Sequence, residues 1–205
     1  MRVITLTILI LVSLRLIAQE SNSDLFVFVG EKIEIKNFQP EIDNDNIPLD
    51  QAFKAKYKVV ENIYGNLNLD TVDFVVYDHY GFPPFSNYKT VLLYIVKENG
   101  IFYHSKYLHS AVYKTKDNKW AVLYFPVDSH SPNQINNIAY LKIMEFEPAV
   151  TIELSEYTSE YIEKYFPKPY FKIEGTKAEA VYGMYADDIF NLNKNGILRR
   201  RGYFK

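Results

Sequence analysis

The chain contains no cysteine. Disulfides, thiolate metal sites, thiol nucleophiles and a lipid-modified N-terminal Cys are excluded at once. Glycine is scarce, eight in 205 residues. Neither a Gly-x-x-x-x-Gly-Lys-Ser/Thr phosphate loop nor a Gly-x-Gly-x-x-Gly dinucleotide turn occurs. A Gly-x-Ser-x-Gly nucleophile elbow is also missing, as is an Asn-x-Ser/Thr glycan acceptor. No internal repeat or low-complexity tract is present. These absences leave no motif for a cofactor, and none is expected.

What is present begins with the first residues. Met1-Arg2 precedes an apolar run over 3–14, then Arg15 and Leu16-Ile17-Ala18-Gln19-Glu20. A positive start, an apolar stretch and a small residue before a polar one are the parts of a secretory signal. The run is shorter than the roughly 20 residues that span a bilayer. Residues 1–19 therefore read as a signal peptide, cut near Ala18 or Gln19, with no stable membrane insertion afterwards. Its removal takes two of the 23 basic residues and leaves 21 against 25 acidic ones, a net charge of −4. A mildly acidic chain has no electrostatic hold on a polyanion, so nucleic acid is not an expected partner. An exported chain without staples or glycan sites points to a periplasmic or extracellular place in a bacterium.

The pattern that follows is that of strands. Leu25-Phe26-Val27-Phe28-Val29 runs into Gly30, where a bulge is expected, and Lys32 to Lys36 alternates. Residues 37–50 read as a loop. Phe53, Ala55, Tyr57 and Val59 alternate with Lys54, Lys56 and Lys58, as a half-buried strand requires. A strand over 71–80 stops at Gly81-Phe82-Pro83-Pro84. Asn99-Gly100 between two apolar runs predicts a tight hairpin. A second hairpin is predicted between 111–113 and 120–125. Residues 24–137 thus form an expected OB-like β-barrel, and residues 138–205 a C-terminal helical section packed on it. In that section 139–146 fits strand or helix equally. Ser155 is the expected N-cap of a helix ending before Pro167. Thr176 to Leu192 has the three-four apolar spacing of a helix that Asn195-Gly196 would stop. The fold class is mainly β (α+β), an antiparallel OB-like small barrel with C-terminal helices.

The densest group of chemically useful residues is Tyr77-Asp78-His79-Tyr80-Gly81-Phe82-Pro83-Pro84-Phe85, at a strand end entering a rigid loop. Binding residues concentrate in such places. Asp78 and His79 point to opposite faces if the strand continues. The plainer reading has Asp78 in a turn hydrogen bond and His79 packed on aromatics. The histidines are His79, His104, His109 and His130. A metal hydrolase would bring three ligands together, with Asp78 or Asp128 among them. His104 and His109 are five apart, an offset that separates them unless a bulge intervenes. Asp78, His79, Tyr80, Phe82 and His104 are the candidate binding residues; no catalytic or metal residue is assigned. Arg199-Arg200-Arg201 reads as a solvated end, a helix cap or a contact for an acidic partner.

Three stretches carry a family likeness: Asp24 to Lys32, Phe53 to Gly65 and Asp70 to Tyr77. A first strand ending in Val-Gly, a second ending in a Gly turn and a third a few residues on resemble the netrin-like, or tissue-inhibitor-of-metalloproteinase-like, OB-barrel domains. The resemblance covers about half the chain, residues 24–125. It implies a small barrel used for protein contacts. The metal-chelating N-terminal Cys and the disulfides of that family have no counterpart here, so neither carries over. The expected function is an exported, non-enzymatic binding or protein-interaction domain of the cell envelope, inhibitor- or immunity-like, with a protein partner. The alternatives are a metal-dependent hydrolase built on His79 and His104 with nearby carboxylates, and a glycan-binding module using a planar row of exposed aromatics.

Overall fold

Two of the apolar runs, 25–29 and 91–96, have no polar alternation. Strands of that kind are buried on both faces, and the computed structural model shows this arrangement. It describes residues 24–40, 50–126 and 138–205. The expected signal peptide, most of the 37–50 loop, Asp128 and His130 lie outside the described residues.

Five strands close a barrel: β1 (Asp24–Phe38), β2 (Gln51–Tyr64), β3 (Thr71–Asp78), β4 (Thr90–Glu98) and β5 (Ile101–Ala111). Their order is β1-β2-β3-β5-β4, with β4 pairing back onto β1. Every pair is antiparallel except β3 with β5, which touch in parallel at Val75 and Tyr103. This is the small OB-like barrel that the strand pattern predicts. The Asn99-Gly100 turn forms as expected, with φ of 50° and 83°. The bulge at Gly30 is also present, as a register shift between Val29 and Gly30. A Cβ there would sit 2.8 Å from the Phe28 ring and 3.1 Å from Tyr57, so a side chain at this position would crowd the barrel interior.

The chain then leaves the barrel. In chain order follow β6 (Tyr113–Lys114), β7 (Trp120–Leu123), β8 (Lys142–Ile143), β9 (Thr151–Glu153), helix α1 (Ser159–Tyr165), β10 (Phe171–Glu174), β11 (Lys177–Ala180), β12 (Tyr182–Tyr185) and helix α2 (Ala186–Asn193). A wider helical turn, Lys194–Leu198, continues α2. These strands form two small sheets, β6-β7-β12-β8 and β10-β11-β9.

Several local expectations are corrected by this layer. The 111–125 hairpin forms, but β7 pairs with β12 rather than with a barrel strand. The undecided segment 139–146 holds a short helical turn, Ile138–Tyr140, and then β8. The cap of α1 is Thr158, whose hydroxyl accepts from the Tyr161 N–H at 3.3 Å, and not Ser155. The helix predicted from Thr176 is two strands followed by a shorter helix. Asn195-Gly196 does not stop it, because Leu198 is fully buried and holds the chain in helix past that pair. The C-terminal section is therefore mixed strand and helix rather than helical.

Three apolar clusters result. The barrel interior is built on Phe28, Phe53, Tyr57, Phe74, Phe85 and Leu93. The second lies against the outer face of β1, β4 and β5, where Val27, Val29, Leu92 and Tyr94 meet Phe190 and Leu198. Asn193 donates 2.8 Å to the Tyr94 hydroxyl across this seam. The third sits within the C-terminal layer, around Phe146, Phe166 and Phe171.

Candidate functional site

One end of the barrel gathers the start of β2, the end of β3 and an irregular part of β5. The irregularity is the key. Leu93 pairs with His109 and Ile95 with His104, so residues 105–108 stand opposite Tyr94 alone. Tyr107 turns the chain with φ of 66°. This bulge is what the five-residue offset required. His104 and His109 now face β4 positions two apart, which lie on one face. Because Leu93 and Ile95 belong to the barrel interior, both histidines point inward.

The two rings lie 6.2 Å apart, and both pack on Phe85, at 4.8 Å and 5.6 Å. Phe85 comes from a short helical turn, Pro84–Asn87, that plugs this end. His104 Nε2 lies 3.1 Å from the Leu108 carbonyl, so it carries the proton and donates across the bulge. A little of His104 still reaches solvent, yet its ring is enclosed by Phe74, Phe85 and His109. Burial, and then the neighbouring His109, push its imidazole down to about 3. Burial also lowers His109, against the pull of Asp78. His109 Nδ1 is buried and finds no hydrogen-bond partner among the described residues.

Outside this pair lies a chain of charges. Asp50 accepts from Lys106 at 2.5 Å and sits 3.5 Å from His79 Nδ1. The Lys106 bond holds the Asp50 carboxylate below its usual range, and the same bond holds Lys106 up. Arg201 donates to Ser105 Oγ at 2.9 Å and to the Lys106 carbonyl at 2.8 Å. The last arginine of the terminal triplet is therefore a clamp on the bulge. Asp78 is buried and accepts from the Tyr80 N–H at 2.9 Å, the turn bond of the plainer reading.

The aromatics at this end are open. Tyr80 is 87% exposed, Phe82 62%, Tyr107 57% and Tyr77 40%. Tyr80 meets the His79 ring edge-on at 5.2 Å, Lys106 sits over Tyr107 at 5.5 Å, and Phe82 tilts onto Phe53 at 4.8 Å. Of the candidates, Asp78 and His104 face inward, while His79, Tyr80 and Phe82 lie on the outer patch. Asp50, Lys106, Tyr107, Phe85 and Arg201 complete the site; Phe85 belongs to the cluster after β3 and Arg201 to the terminal triplet, while Asp50, Lys106 and Tyr107 carry no signal of their own in the sequence.

The hydrolase alternative needs a third ligand beside the inward histidines. Among the described residues no group of three or more His, Asp or Glu side chains is placed to hold a metal ion. A second set of aromatics, exposed Tyr157 and Tyr161 with half-buried Tyr165, stacks along α1 at 4.7 Å and 4.2 Å. These rings cover one another's faces, whereas a sugar platform needs faces open to the ligand. A shallow groove of about 450 Å³ lies by Thr115, Asp117, Glu145 and Tyr185. Its charged groups are already paired, Lys116 with Glu145 and Tyr185 with Asp117.

Among the described residues no helix is long and apolar enough to cross a membrane. Compared with protein families, with curated proteins and with solved structures, the chain finds no match. The fold and the barrel-end geometry are therefore the basis for a functional reading.

Proposed function

We propose that the mature chain is an exported, non-enzymatic binding protein that holds a protein partner against the open end of its barrel. One observation carries this: Tyr80, Phe82 and Tyr107 stand exposed around the Asp50–Lys106 ion pair on a rigid scaffold. Exposed aromatics are the residues enriched at interface centres, where a few side chains supply most of the affinity, and an ion pair beside them suits the polar rim. Phe82 and Tyr107 are held by Phe53 and by the bulge, so ordering them on binding costs little.

The test is capture from the native envelope, with the mature chain as bait. The control bait carries Tyr80→Ser, Phe82→Ser and Tyr107→Ser. A single protein recovered in stoichiometric amount by the first bait and lost by the second supports the reading. Each aromatic is expected to contribute about 2 kcal/mol, so the triple change would abolish retention. Equal recovery by both baits would move the interface elsewhere. A blank from both would favour a small ligand.

A further inference from the structure

We propose that the bulge of β5 is an acid-opened latch, in which protonation of His104 and His109 frees the segment carrying Lys106 and Tyr107. The geometry comes first. Four residues stand opposite one in the ladder, so the bulge lacks the regular bonds of its strand. The described bonds that hold it are few: the Lys106–Asp50 ion pair, His104 to the Leu108 carbonyl, and Arg201 to Ser105 and the Lys106 carbonyl. Both histidines pack on the Phe85 plug, and His109 Nδ1 is left without a partner among the described residues.

The charges facing His104 favour its neutral state. Arg201 from the C-terminal tail is cationic, and each histidine is beside the other. Asp78 at the end of β3 is the carboxylate that acts on His109. Asp50, before β2, is already engaged by Lys106 and His79. A proton on His104 therefore sits in an apolar pocket among like charges, and burial makes one on His109 costly despite Asp78. Outside the pocket an imidazole titrates near its ordinary value of about 6.5. Acid thus favours the open bulge, because only the open form accepts the protons freely.

The consequence for binding rests on the barrel-end patch being the partner surface; the opening itself does not. Amide hydrogen exchange of the mature chain, from about pH 7 to about pH 4.5, reads the opening directly. After correction for intrinsic rates, the opening constant of residues 105–110 should rise about tenfold per pH unit for each proton taken up. Amides of β1 and β2 should not follow it. His104→Gln with His109→Gln should flatten the slope, and His109→Gln alone should reduce it towards one proton. The wild-type slope needs no variant and decides the matter if the double change fails to fold. A slope of zero, or acceleration shared equally by β1 and β2, would overturn the latch. Partner capture that fails at neutral pH while the slope is present would count against the patch and not against the latch.

Discussion

At the scale of single residues, His104 couples the barrel to pH. Its folded imidazole is pushed down to about 3, while the unfolded chain titrates near 6.5. Between those values the unfolded state binds a proton that the folded state refuses. Stability is therefore full above about pH 6.5 and falls as pH drops towards about 3. The loss from this residue is on the order of 3–5 kcal/mol, and His109 adds in the same direction. Only about two of those pH units lie between 6.5 and 4.5, so urea unfolding at about pH 7.5 and about pH 4.5 should differ by about 3 kcal/mol from this residue, and His104→Gln should remove most of that difference. Gly65 is the other residue that stands alone. Its φ is +80°, and a Cβ would collide with the Leu25 carbonyl. Gly65→Ala is expected to cost more than about 2 kcal/mol, measured the same way. Residues of this kind were unequally legible. A glycine after a long strand announces a turn. The Asp50–Lys106 pair spans 56 positions and announces nothing. The histidine pair lies between: their offset named the condition, a bulge, but Tyr107 is not a residue type that signals positive φ.

At the scale of elements, the barrel was readable because its strands obey one rule at a time. β2 alternates, with Phe53, Ala55 and Tyr57 buried and Lys54 and Lys58 exposed. β1 and β4 do not alternate where both faces are covered. The region from Thr176 misled because it obeys two rules. Lys177-Ala178-Glu179-Ala180 consists of good helix formers, and the apolar spacing fits a helix. The same residues also alternate, and Ala178 and Ala180 are the buried ones. Pairing with β10 and β9 decides between them, which is tertiary context overriding propensity. Helix α1 gives an element-scale test. Thr158 caps it, and none of its residues is fully buried, so the cap matters more than packing. Thr158→Ala should cost about 1 kcal/mol and speed amide exchange in 159–165 while leaving β10 and β11 protected. Unchanged exchange in that helix would show that the Tyr157–Tyr161–Tyr165 stack holds it without the cap.

At the scale of the whole molecule, the barrel and the C-terminal layer are not separable. Leu25, Val27, Val29, Leu92, Tyr94 and Val96 are buried on the outer face of the barrel, against Phe190, Leu198 and their neighbours. Removing the layer would return those side chains to water at about 1.5–3 kcal/mol each. Six of them amount to about 10 kcal/mol or more, the size of a domain's entire stability. The tail adds polar ties in the same place, through Arg201 to the β5 bulge and Asn193 to Tyr94. The chain should therefore unfold in one step. Trp120 packs at the seam between the layers, so its emission follows the interface, whereas far-ultraviolet dichroism follows all the strands. In urea the two signals should give coincident transitions with a single midpoint. Leu198→Ala, which hollows a fully buried position on the layer's side, should lower both midpoints together, by about 2–5 kcal/mol in stability. An emission change that precedes the loss of strand signal would mean that the layer peels from a barrel able to stand alone, and the bulge clamp would then be a hinge between two independent units.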